Sequence, residues 1–208
     1  MKLPSHFYAI VDPVAGHDPV DLAKTMLESG VRIMQLRLKN VATRDFLETA
    51  RSISQLCHAR GAIFIVNDRV DIAMLSDADG VHLGQNDLPL EMGRKLIGAG
   101  KIIGVSTASV EMAHAAEAGG ADYIGFGPMY PGGLKNTAKG QGLERLSQVR
   151  AAVKLPIVAI GGIVEATVPE VLAAGADAAA IITDVVKAPD ITTKIKSILR
   201  TSASRTRS

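Results

Sequence analysis

The sequence is most informative where it is poor. It holds one cysteine in 208 residues, so no disulfide can form within the chain. Cys57 shares a helical stripe with Phe46, Ala50 and Ile53, a place for a small core residue. Tryptophan is absent and aromatic residues make up only 3%. A core must therefore be packed from Ala, Val, Ile and Leu, the residues that parallel strands and their covering helices favour. No apolar run reaches the length of a membrane span, and the N-terminus lacks the charged-then-apolar pattern of a secretion signal. A soluble, cytoplasmic protein with no membrane partner is expected. Charge of one sign is lacking too. Lys and Arg number 23 against 21 Asp and Glu, spread along the chain. The basic stripe of a nucleic-acid binder is absent, and no nucleic-acid partner is expected. Only Arg200, Arg205 and Arg207 gather, among Ser and Thr, in what reads as a frayed end. No Pro- or Ser-rich linker divides the chain. One domain over residues 1–200 and a disordered basic tail over 201–208 are expected.

What is present is repetition. Apolar residues make up 47% of the chain. Short β-rich runs alternate with amphipathic helical stretches from end to end. The candidate strands are Phe7–Val11, Ile33–Arg37, Ile63–Asn67, Gly80–Leu83, Ile102–Ser106, Tyr123–Phe126, Ile157–Ile160 and Ala178–Ile182. Helices are expected from Thr43, as N-cap, from Ser109 to Gly119, after Gly142, and after Asp190. The phrases Ala78-Asp79-Gly80, Ala121-Asp122-Tyr123 and Ala176-Asp177-Ala178 each stand just before a strand. A recurring βα unit with parallel strands predicts an α/β fold, a single (β/α)8 TIM barrel. An open doubly wound sheet would want a glycine fingerprint after the first strand. That position holds Val11-Asp12-Pro13 instead.

In such barrels the active site lies at the carboxyl ends of the strands. Strand two ends in Gln35, Arg37 and Lys39, which alternation places on one side. Cations and an amide there are costly unless a ligand pairs them. Strand three runs into Asn67-Asp68, and strand four into a loop holding Asp87. Two carboxylates on adjacent loops can share a hard cation such as Mg²⁺, and can equally serve as helix N-caps. Strand seven ends in Gly161-Gly162 and strand eight in Thr183. Glycines and a hydroxyl at that place suit a phosphate, and also suit a tight turn. His82, alone in an apolar strand, reads as a hydrogen-bonded interior residue. The irregular stretch from Pro128 to Gln141 reads as a mobile lid.

Six segments in order are similar to the thiamine phosphate synthase family. They are Gln35-Leu36-Arg37-Leu38-Lys39, Ile65 to Arg69, Gly80 to Asp87, Ile103 to Ser106, Gly120 to Pro128, and Ala159 to Ile163. The likeness covers roughly residues 7 to 190. It implies an enzyme, a transferase. Such an enzyme joins 4-amino-2-methyl-5-hydroxymethylpyrimidine diphosphate to a thiazole phosphate, giving thiamine phosphate and pyrophosphate. By this resemblance Gln35, Arg37, Lys39, Asn67, Ser106 and Lys135 grip the pyrimidine diphosphate. Asp68 and Asp87 hold Mg²⁺, the one cofactor implied. Gly162 and Thr183 hold the thiazole phosphate. The implied partners are small phosphorylated molecules, and homo-oligomerisation is compatible with all of this.

Three positions depart from the family pattern. A Thr-x-Thr-Lys stretch is usual after the sixth strand, whereas Gly132, Leu134 and Lys135 stand here. Leu38 replaces a common acidic residue. Ala108 replaces a histidine that marks the related thiazole tautomerase, which counts against an isomerase. The alternatives are such a tautomerase-like isomerase, or an impaired barrel that binds thiamine-pathway phosphates without chemistry.

Overall fold

A computed structural model describes residues 1–132 and 139–203. Eight parallel strands close into a barrel in sequence order: β1 Phe7–Val11, β2 Ile33–Leu36, β3 Ile63–Asn67, β4 Gly80–Leu83, β5 Ile102–Thr107, β6 Tyr123–Phe126, β7 Ile157–Ile160 and β8 Ala178–Ile181. The register Phe7↔Ala179 between β1 and β8 seals the ring. The helices that carry the chain back are α1 Pro19–Glu28, α2 Thr43–His58, α3 Val70–Leu75, α4 Leu90–Ile97, α5 Val110–Ala118, α6 Gly142–Ala152, α7 Val168–Ala173, α8 Thr183–Val186 and α9 Ile191–Ala203. The fold is thus a (β/α)8 barrel. α9 continues to Ala203, past residue 200 where the domain was expected to end, and residues 204–208 lie outside the described residues.

Strand alternation divides the core in two. Outward residues such as Phe7, Met34, Phe64, Val81, Ile124 and Ile157 pack beneath the helices in one large cluster that includes Cys57. Inward residues form a second cluster of Tyr8, Ile10, Ile33, Tyr123, Val158, Ala178 and Ala180. The interior is a packed plug rather than a pore, and it forms the floor on which the site stands.

Two local expectations are corrected. Thr43 is the first residue of α2, not its cap; the cap position is Ala42, which makes no side-chain bond. The Thr43 hydroxyl lies within 3.4 Å of the Arg69 guanidinium instead. Nor are Asp68 and Asp87 helix caps. α3 is preceded by Arg69 and α4 by Pro89, neither with a capping side chain. Ser109 does cap α5, accepting from the Met112 N–H at 3.2 Å.

Candidate active site

A cavity of about 860 Å³ opens at the carboxyl ends of the strands. That volume suits a substrate of drug-like size or a pair of small ones. Gln35, Arg37, Asn67, Ser106, Gly162 and Thr183 are among the residues that line it. Lys39, Asp68 and Asp87 stand beside that lining, on the loops after β2, β3 and β4. Lys135 lies outside the described residues, as do its neighbours Leu134 and Thr137.

Each polar side chain is held by its neighbours. Arg37 donates from Nη1 to Asp12 Oδ2 at 2.5 Å, and the Asp12 side chain is only 7% exposed. Asp12 also accepts from the Val14 N–H at 3.1 Å, so the end of β1 fixes the guanidinium that β2 delivers. The remaining Arg37 N–H groups bond to no described residue. Lys39 pairs with Asp68. Asp68 adopts φ +65°, a conformation that Asn and Asp tolerate better than most residues, and its N–H donates to the His82 carbonyl at 2.8 Å. The Asp87 carboxylate accepts from the Gly84 N–H at 2.7 Å. Burial first, and then side-chain contact with Asp68, push the Asp87 pKa up. The folded loops therefore hold two carboxyl groups against each other, an arrangement that resists full ionisation unless a cation intervenes.

On the other arc of the barrel, Gly161 and Gly162 have φ +96° and +70°. The chain after β6 explains both. A Cβ on Gly161 would stand 2.7 Å from Pro128, and one on Gly162 would stand 2.9 Å from Tyr130. The Met129 and Tyr130 N–H groups donate to the Ile160 and Gly161 carbonyls at 2.9 and 3.0 Å. The double glycine is thus required by backbone geometry and close packing, whatever it binds. Of the stretch read as a lid, residues 133–138 lie outside the described residues, and its base is clamped to β7.

Several residues of the cavity escaped the sequence pattern. Tyr8 and Tyr123 lie in its floor, both 1% exposed, with their hydroxyls 2.8 Å apart. His82 bonds through Nδ1 to the Tyr123 hydroxyl at 3.0 Å and through Nε2 to the Ser106 hydroxyl at 2.9 Å. His82 is the satisfied interior residue expected, and it also lines the cavity. The floor exists because glycines make room for it. A Cβ on Gly104 would fall 2.1 Å from the Tyr123 ring, and one on Gly125 would fall 2.9 Å from the His82 ring. Gly104→Ala is expected to cost about 3 kcal/mol, because a buried and doubly bonded tyrosine cannot move aside. The melting temperature should fall by roughly 6–12 °C. Gly100→Ala, with nothing within 4 Å of the added carbon, serves as control. Equal melting curves for the two variants would show that the ring yields.

Lys187 and Lys194 also border the cavity, near Thr183. Lys194 is paired to Glu165 and Asp184 at 3.0 and 3.2 Å, partly exposed ion pairs that link α9 to the segments after β7 and β8.

A closed parallel barrel with a polar-lined cavity at the carboxyl ends of its strands has the build of a barrel enzyme for small molecules. Comparison with known proteins narrows that class. The family model for thiamine monophosphate synthase matches residues 7–185. The thiamine-phosphate synthase of Methanospirillum hungatei is 48% identical, over 88% of this chain and 91% of its own. That of Methanoculleus marisnigri is 44% identical over 92% of both. The solved thiamine phosphate pyrophosphorylase from Pyrococcus furiosus superposes with a TM-score of 0.88 at 38% identity, covering 97% of this chain and 96% of that one. The chain belongs to the thiamine monophosphate synthase family and is a transferase. Among the described residues no helix is long and apolar enough to cross a membrane.

Proposed function

We propose that the protein joins 4-amino-2-methyl-5-hydroxymethylpyrimidine diphosphate to a thiazole phosphate and releases pyrophosphate. The observation that carries this reading is Arg37 in the cavity lining, with the linked Lys39, Asp68 and Asp87 on the neighbouring loops after β2, β3 and β4. A diphosphate leaving group needs fixed positive charge where its negative charge develops.

The residues fit a divalent cation. Two carboxyl groups in contact, one with its pKa raised by burial and by the other, form a hard oxygen donor set short of positive charge. Among the described residues no cluster of three or more His, Cys, Asp or Glu could cage a metal. A cation there would take further ligands from water and phosphate, as Mg²⁺ does. Asp68 and Asp87 are the residues that would hold it, and when bound it would neutralise charge on the departing pyrophosphate.

The side chains then divide the work. Gln35, Asn67 and Ser106 orient the pyrimidine diphosphate, Arg37 and Lys39 balance its charge, and Lys135 adds to that grip. The methylene C–O bond breaks and its electron pair leaves with pyrophosphate. The electron-rich pyrimidine stabilises the resulting cation. The thiazole nitrogen donates its lone pair to that methylene carbon, which closes the balance without a protein nucleophile. Gly162 and Thr183 hold the thiazole phosphate so that the nitrogen is in line. The apolar floor around Ile160 and Val158 excludes water that would otherwise trap the cation.

The test is pyrophosphate release from the two substrates, with and without Mg²⁺. Release should appear only with metal and should match thiamine phosphate formed mole for mole. Metal-independent turnover, or tight binding of both substrates without release, would overturn the reading.

A further inference from the structure

The cavity floor contains a continuous hydrogen-bonded chain. Gln35 Nε2 donates to the Tyr8 hydroxyl at 3.1 Å. The Tyr8 and Tyr123 hydroxyls are 2.8 Å apart. Tyr123 meets His82 Nδ1 at 3.0 Å, and His82 Nε2 meets the Ser106 hydroxyl at 2.9 Å. Both phenols are buried in the cavity floor at 1% exposure, and the two ends of the chain, Gln35 and Ser106, lie in the same lining.

With one proton on the His82 ring, proton counting gives such a chain only two satisfied states. With Gln35 donating, the Tyr8 proton goes to Tyr123 and the Tyr123 proton to His82 Nδ1. His82 then carries its proton on Nε2 and donates it to Ser106 Oγ. The Ser106 proton is left for the cavity, and so is the Gln35 carbonyl oxygen. Turning the amide over reverses every link. Ser106 then donates to His82, and Gln35 shows the cavity its N–H groups instead. Any mixed state sets two protons face to face or strands a buried donor, which carries the full desolvation penalty.

We propose that this buried chain couples the two ends of the site, so that Ser106 offers a proton to a ligand only when Gln35 offers an oxygen. The site then selects a ligand with an anionic oxygen at Ser106 and an N–H donor at Gln35. This rests on the diphosphate reading above, and the amino group of the aminopyrimidine meets the second requirement. Tyr8, Tyr123 and His82 are positioning residues that set specificity without touching the reacting atoms.

The test is the ring ¹⁵N spectrum of His82 in the full chain with Mg²⁺ and inorganic pyrophosphate, assigned by its loss in His82→Gln. The Nε2–H tautomer is expected; an Nδ1–H tautomer, or a ring carrying both protons, overturns the coupling even if pyrophosphate binds tightly. If pyrophosphate does not bind, the Nε2–H tautomer in the free protein supports the chain while the synthase reading fails. Tyr123→Phe should weaken pyrophosphate binding about tenfold, matching Ser106→Ala: the serine variant removes a bond to a charged group, and the tyrosine variant breaks the chain that turns the Ser106 proton toward it. The double variant should bind no worse than Ser106→Ala alone. Additive losses would mean that Tyr123 acts only through packing and would also overturn the proposal.

Discussion

Asp68→Asn and Asp87→Asn are each expected to lower kcat about a thousandfold, the scale seen when fixed charge stabilisation is removed from a reacting site. The melting temperature should meanwhile hold or rise. The two expectations diverge for one physical reason. Burial and contact with Asp68 push the Asp87 pKa up, so the folded chain resists the second negative charge. Replacing either carboxylate removes that repulsion, and at Asp68 the pair given up with the half-exposed Lys39 is worth little against it. If the pair existed to hold the loops together, activity and stability would fall side by side. Asparagine is the right replacement at both positions. At Asp68 the backbone has φ +65°, which Asn tolerates and Ala does not. At Asp87 the amide oxygen can still accept from the Gly84 N–H, bonded at 2.7 Å in the native chain. Initial rates at saturating substrate and thermal melts on the same preparations give both numbers. A rate within tenfold of the native enzyme would remove the metal from the reading.

That loss of stability for function is the kind of local conflict a sequence reveals, because charges appear where burial should forbid them. The eight strands were legible for the same reason. Their apolar runs are bounded by Asp, Gly and Pro, and β1, β3, β4, β6 and β7 occupy the residues that the pattern marked. β2 and β8 stop one residue short, at Leu36 and Ile181, and β5 runs one further, to Thr107. Part of the polar lining was legible through Gln35 and Arg37, which alternation sets on one side at the end of strand two, while Asn67 and Ser106 were marked by the family resemblance. Tyr8 and Tyr123 do not break the apolar pattern. A tyrosine in a strand counts as filling, and nothing in its one-dimensional context says whether its hydroxyl meets solvent or another hydroxyl. The room made for them is equally invisible, since Gly104 and Gly125 read as turn residues or weak strand positions until a ring is seen across them. Gly161 and Gly162 mislead in the opposite direction. Their pattern suggests an anion, yet contact with Pro128 and Tyr130 already requires glycine at both. Asp12 went unread because a carboxylate one residue after a strand usually means a turn. Here its partner, Arg37, lies on the neighbouring strand.

That pairing sets an expected loss of stability as large as that of Gly104→Ala, by a different cause. Arg37→Met leaves the Asp12 carboxylate in place, 7% exposed, with the Val14 N–H as its one remaining partner among the described residues. Stranding a buried charge costs 3–5 kcal/mol in a fully enclosed pair. The Arg37 side chain is 23% exposed, so water can reach part of the vacated space, and about 3 kcal/mol is the better expectation. In a chain of this length that lowers the melting temperature by roughly 6–12 °C. Removing the stranded charge as well, in Arg37→Met with Asp12→Asn, should restore most of the stability, because a neutral amide is far cheaper to bury. Activity separates the two roles that Arg37 could have. If the guanidinium only holds β1 to β2, the double variant regains its rate along with its melting temperature. If the guanidinium balances diphosphate charge, the double variant melts near the native temperature and still turns over about a hundredfold slower. The second outcome is expected, since Asp12 occupies one edge of the Arg37 fork and leaves the remaining N–H groups to the cavity.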